Sequence, residues 1–106
     1  MNEKIQLFAE LVARETRERY EKFFTSPDPL VKEALVATNS RVSVVPGKKY
    51  TKVDVGGSGK YMVDNETGEI FGIKGYGKIH KGHRYGTLDT IKDWYWGGYV
   101  AVEMPF

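Results

Sequence analysis

The chain has no cysteine. That excludes a disulfide framework and a thiolate metal site, and it suits a reducing compartment. Long apolar runs are also missing. None approaches the ~20 residues that a membrane-spanning helix needs. The opening Met-Asn-Glu-Lys-Ile lacks the basic segment and uninterrupted apolar stretch of a secretory signal. The expected location is therefore cytoplasmic, with no membrane partner. Histidine is scarce, with His80 and His83 the only two. Acid is absent from one whole region, since no Asp or Glu falls between Ile70 and Leu88.

What is present is a 106-residue chain of ordinary globular composition, 41% hydrophobic and 28% charged. That length supports a single domain, because a second core would be too small to be stable. The net charge of +2 conceals an uneven distribution. Residues 1–40 hold 6 Lys/Arg against 7 Asp/Glu, residues 41–88 hold 9 against 4, and residues 89–106 hold 1 against 3. A positive excess confined to one section points to an anionic partner more directly than a modest overall charge does.

The pattern predicts a helical part, residues 1–40, and a β-rich part, residues 41–106. Ile5, Phe8, Leu11, Val12, Tyr20 and Phe23 recur at spacings of three and four, which marks an amphipathic helix over 3–24. Its other face offers Glu10 with Arg14, Glu15 with Arg19 and Glu18 with Lys22 as i,i+4 pairs. Pro27 and Pro29 interrupt it, and Asp28-Pro29 reads as N-cap and first residue of a second helix ending near Asn39. Strands follow over 41–45, 49–55, 61–63 and 69–73, punctuated by Pro46-Gly47, Gly56–Gly59 and Asp64–Gly68. Tyr99–Met104 reads as a last strand. The expected fold is α+β: an N-terminal helical pair packed on a twisted, mainly antiparallel β-sheet. Phe24 beside Phe23 extends the aromatic surface of the first helix, which predicts a homo-oligomer through that helix.

The stretch Lys74–Thr87 reads as a basic, glycine-rich loop, and it is the candidate site. Lys74, Lys78, Lys81 and Arg84 supply charge, and Arg84 can fork onto two phosphate oxygens. Tyr76 and Tyr85 offer flat faces for a base. The glycines let backbone N–H groups approach an anion. His80 and His83 have the H-x-x-H spacing, but zinc needs three or four protein ligands, so neither a metal nor another cofactor is expected. Gly56-Gly-Ser-Gly59-Lys60 superficially resembles a phosphate loop. A strand follows it rather than a helix, so a hairpin turn is expected. The aromatic run Trp94-Tyr-Trp96 reads as core or interface.

The run Tyr61-Met-Val-Asp-Asn-Glu-Thr-Gly-Glu-Ile-Phe71, then Gly72-Ile-Lys-Gly-Tyr76, then His83-Arg-Tyr-Gly-Thr-Leu-Asp89, resembles small proteins of tailed phages. More distantly it is similar to the phage anti-Thoeris sponges, which sequester cyclic ADP-ribose signals. The likeness spans residues 48–90. It implies a helix packed on a twisted antiparallel sheet, and nucleotide contacts at Tyr61, Arg84 and Thr87. The chain departs from the sponge pattern at Tyr85, inserted between the Arg and the Gly, and at Tyr76, which replaces a tryptophan.

The expected function is non-catalytic binding of an anionic nucleotide or nucleic acid, by a phage-encoded protein that sequesters a nucleotide signal or counters host defence in the cytoplasm of an infected cell. The expected ligand contacts are Tyr61, Lys74, Tyr76, Lys78, His80, His83, Arg84 and Thr87. No catalytic residue is nominated. Two alternatives remain: a small phosphodiesterase or nuclease using His80 or His83, and an inhibitor of a host factor acting through the aromatic cluster at Trp94–Tyr99.

Overall fold

The computed structural model describes residues 2–105 and is an α+β fold. Two helices, α1 (Asn2–Phe23) and α2 (Pro29–Ser40), precede a five-stranded antiparallel sheet. Its strands are β1 (Val42–Val45), β2 (Tyr50–Val55), β3 (Ser58–Asp64), β4 (Glu69–Gly75) and β5 (Lys78–Thr87), in spatial order β1-β2-β3-β4-β5. A short 3-10 turn (Ile91–Asp93) leads to a two-stranded ribbon, β6 (Trp94–Tyr95) with β7 (Val102–Glu103). Among the described residues no helix is long and apolar enough to cross a membrane.

The helical period holds over the first turns of α1 and fails at its end, where Tyr20 is half-buried and Phe23 is exposed because the sheet does not reach that far along the helix. Ile5, Phe8 and Val12 are buried, and Thr16 takes the next position on the same stripe. Asp28 caps α2 by accepting from the Leu30 N–H at 2.9 Å, with Pro29 at the first helical position. The ion pairs differ from the expected set. Arg17 pairs with Glu21 at 3.1 Å and reaches across to Glu33 of α2 at 2.6 Å, tying the helices together. Glu15 turns away from Arg19, because its carboxylate accepts the Trp96 backbone N–H at 2.9 Å.

In the sheet, Thr51 and Val53 face Val63 and Tyr61 across the β2–β3 ladder, and all four are buried. Gly56 and Gly57 both have positive φ, 61° and 84°, as a two-residue type I′ hairpin requires. So tight a turn lets β3 begin at Ser58, three positions earlier than the alternation at Tyr61 suggests.

Trp96 is the centre of the core, wholly buried, with its ring edge-on to Phe8 at 4.7 Å and to Tyr61 at 5.3 Å. Its indole N–H donates to the Ile91 carbonyl at 2.8 Å. The aromatic run is thus mainly core, as expected of Trp96, and only Tyr99 beyond it stands in solvent, 94% exposed.

One expectation is overturned here. Residues 74–87 are a hairpin rather than a loop: β4 runs on to Gly75, Tyr76-Gly77 turns, and β5 returns. Glycines and lysines disguise a strand whose core contact is a single side chain, Tyr85. The disguise is helped by bulging. His80 pairs with Gly72 and Arg84 with Phe71, which leaves Lys81, Gly82 and His83 bulged out.

Candidate functional site

The eight residues nominated from the sequence do not converge. Tyr61 is in the core, packed on Phe8 and Trp96, and its hydroxyl donates to the Trp96 carbonyl at 3.3 Å. Burial, then Tyr85 and Glu15, push its phenol well above the ordinary tyrosine range. Arg84 is ion-paired across the strands with Glu69. The Thr87 hydroxyl is used locally, accepting the Asp89 N–H at 3.2 Å. Lys74, Tyr76 and Lys78 lie exposed at the hairpin tip. His80 and His83 close the neck of the bulge, their rings stacked at 4.0 Å and only 3° from parallel.

Arg84 sits in an exposed pair, and such pairs contribute roughly 0–1 kcal/mol. Arg84→Ala is therefore expected to leave Tm within a few degrees of the parent; a larger fall in a thermal melt would show that its pair with Glu69 holds the hairpin.

The structure instead presents a cleft of about 600 Å³ on the helical side of the sheet. The last turns of α1 form one wall through Arg19, Tyr20 and Phe23. The start of β3 forms the floor through Gly59, Lys60 and Tyr61. Gly72, His83 and Tyr85 close the β4–β5 side, and residues 97–100 close the end. None of the lining residues is Asp or Glu.

Two local events create its charge. The first is a β-bulge in β3. Val53 pairs with Tyr61 while Asp54 pairs with Gly59, so Lys60 is an extra residue. Strict alternation from Tyr61 would send Lys60 to the opposite face of the sheet. The bulge re-aims it into the cleft, the usual effect of an inserted residue on side-chain direction. There its ammonium donates to the Gly98 carbonyl at 2.7 Å. Burial, and secondarily the nearby Arg19 guanidinium, hold its pKa below the ordinary lysine value.

The second event is the diversion of Glu15 to Trp96, which leaves Arg19 without its expected partner. Among the described residues no carboxylate lies within salt-bridge distance of Arg19 or Lys60. Two like charges are thus held near each other, one of them partly buried, with no acid to neutralise them. With Arg19 exposed and Lys60 half-buried, the cleft carries a positive field.

The Gly97-Gly98 segment sets the end wall by close approach. A Cβ on Gly97 would stand 2.6 Å from the Glu15 carbonyl oxygen, so only glycine lets this segment lie on α1.

Neither Arg19 nor Lys60 stands out in the sequence, for different reasons. Arg19 was hidden in a helix of balanced charge, where an i,i+4 partner stood ready. For Lys60 a signal existed: a glycine inside a strand, here Gly59, often marks a bulge. Of the nominated residues, Tyr61 and His83 line this cleft. Compared with family models, curated proteins and solved structures, the chain finds no match in any of the three.

Proposed function

We propose that the protein binds an anionic nucleotide or nucleic acid without turning it over, and that the cleft of Arg19 and Lys60 is where it does so. The observation that carries this reading is a lining with two unneutralised cations, several aromatic rings and no carboxylate. The cations meet phosphate oxygens, while Tyr20 and Tyr99 supply flat surface for a ring. The biological role that fits is the one implied by the resemblance over residues 48–90: a phage-encoded protein that holds a nucleotide signal away from its receptor.

The test is calorimetric titration with the four common nucleoside 5′-monophosphates and cyclic ADP-ribose, together with mass spectrometry of small molecules released on denaturing the purified protein. Saturable binding with the ligand recovered unchanged supports the reading. Absence of binding to every one of them and to mixed-sequence DNA and RNA oligonucleotides, with nothing released, sinks it.

A catalytic alternative has one observation in its favour, that His83 reaches the cleft. Labelled oligonucleotide cut by the parent and left intact by His83→Gln would replace binding by phosphodiester cleavage.

A homo-oligomer is proposed as well. Phe23 of α1 and Leu30, Val31 and Leu35 of α2 are exposed, Leu30 to 81%. Light scattering is expected to give a multiple of the 12.0 kDa chain mass, and Leu30→Glu with Leu35→Glu to return it to one chain. A parent that scatters as a single chain at micromolar concentration would rule out this assembly.

A further inference from the structure

A second cavity, of about 530 Å³, lies beside the first at the hairpin tip. The two share Ser58, Gly59 and Ile73 as lining, so they meet over the start of β3. The regular β3–β4 ladder reaches only from Val63–Ile70 to Met62–Phe71, and both cavities open beyond that point. Gly59 lets the Ile73 side chain and the Tyr76 ring pack directly onto β3. A Cβ there would stand 2.8 Å from both the Ile73 side chain and the Tyr76 ring.

The second cavity repeats the chemistry of the first. It has a cation, Lys74, and an aromatic ring, Tyr76, which is 61% exposed. No Asp or Glu lines it. Two further cations flank it. Arg41 reaches to within 3.8 Å of the Cβ position of Gly57, and the Lys52 ammonium lies 4.8 Å from the centre of the Tyr76 ring. The one carboxylate at this place, Asp54, is buried, and the Tyr76 hydroxyl donates to it at 3.2 Å. That bond holds the ring at the cavity, and the other carboxylate oxygen of Asp54 is buried without a partner.

The two cation sites adjoin across the opening beyond the β3–β4 ladder, Arg19 and Lys60 on its helical side and Lys74 at the hairpin tip, with the Tyr76 ring on the face that carries Lys52 and Asp54. Each end has its own cation and its own ring. A mononucleotide has one phosphate group and one base to offer, and it leaves the second end unused. We infer that the cleft and the hairpin-tip cavity form one track for a single-stranded oligonucleotide segment at least two nucleotides long, with one phosphate at Arg19 and Lys60 and a following nucleotide at Lys74 and Tyr76. Backbone charge and ring stacking, without base-edge contacts, make such a track tolerant of sequence.

This inference rests on the cleft being a nucleotide site, and the experiment separates the two. The probes are the four nucleoside 5′-monophosphates and mixed-sequence DNA and RNA tetranucleotides, titrated into the parent chain and into Lys74→Gln, Tyr76→Ala and Lys60→Met. The tetranucleotides are expected to bind at least fivefold more tightly than any monophosphate, the low end of what one stacked base contributes. Lys74→Gln and Tyr76→Ala should each erase most of that margin and leave monophosphate binding as it was. Lys60→Met should weaken both kinds of ligand. The margin should also shrink with added salt, because extra phosphate contacts release extra counterions. Lys74 is exposed, so Lys74→Gln is informative even where Tyr76→Ala disturbs the hairpin. Equal binding of monophosphates and tetranucleotides, or a margin untouched by Lys74→Gln, overturns the track and leaves the cleft standing. Binding of neither overturns both.

Discussion

Trp96→Ala is expected to destabilise the fold by ~3–5 kcal/mol, the range for removing a buried tryptophan. Domains of this size are stable by only about 5–15 kcal/mol, so the variant is left at or near the edge of folding. Tm should fall by roughly 12–40 °C, taking ~4–8 °C for each kcal/mol. The reason is position. Trp96 fills the space between Phe8 of α1 and Tyr61 of β3, so its loss opens a cavity where the helix meets the sheet. Its backbone N–H also holds Glu15, and Gly97 next to it lies against α1. Trp96→Phe should be much milder, keeping a ring against Phe8 and losing the bond to the Ile91 carbonyl. Thermal melts followed by circular dichroism make the comparison. A Tm for Trp96→Ala within a few degrees of the parent would mean that α1 is held to the sheet by other contacts.

Lys60→Met should act in the opposite way, taking binding and sparing stability. A charge-assisted hydrogen bond is typically worth ~1.5–3 kcal/mol, so affinity for an anionic nucleotide should drop about 10- to 150-fold. The lost bond to the Gly98 carbonyl and the relieved burial penalty act in opposite directions, so Tm should stay within a few degrees of the parent. The penalty arises because Lys60 is partly buried beside Arg19, and its pKa is lowered from the ordinary 10.5. The linkage has a definite sign. Between the lowered value and 10.5 the unfolded chain binds a proton that the folded chain does not, so Lys60 makes stability rise with pH in that window. Below the window both states are protonated, and the burial penalty is present in full. Tyr61 and Tyr85 work against this trend above the ordinary tyrosine value of 10.0, because both phenols are raised, mainly by burial. The rise belonging to Lys60 is therefore read below that pH, and Lys60→Met should abolish it. Nucleotide affinity has the reverse dependence. It needs the ammonium, and it should decline as pH climbs through the lowered pKa. A parent and a Lys60→Met variant with equal affinities at neutral pH would remove Lys60 from the site.

Both predictions depend on small departures from regular structure. Without the bulge at Lys60, alternation would put the ammonium on the other face of the sheet, and the cleft would keep only Arg19. Without the bond from Trp96 to Glu15, Arg19 would have a carboxylate four residues away. Neither side chain is unusual by itself. Each stands in the cleft without a carboxylate partner because of a departure from regular structure beside it.

Local chemistry was enough for much of this protein. The α1 stripe of Ile5, Phe8 and Val12, the Asp28-Pro29 start of α2 and the strands around Val53 and Ile70 all follow from period, capping and β-branching. These signals act over a few residues, so the chain carries them on its surface as written, and the α+β class follows. The hairpin over 74–87 was not legible, because bulges break the period of two that identifies a strand, and Tyr85 is its one deeply buried side chain. The choice of cleft was decided only by tertiary structure. Lys60 is 38 residues from the Gly98 carbonyl it donates to, and Glu15 is 81 residues from the Trp96 amide that occupies it. A sequence read locally can count charges and aromatic rings. Which cation loses its partner depends on contacts across the whole chain, and those form only when the core around Trp96 closes.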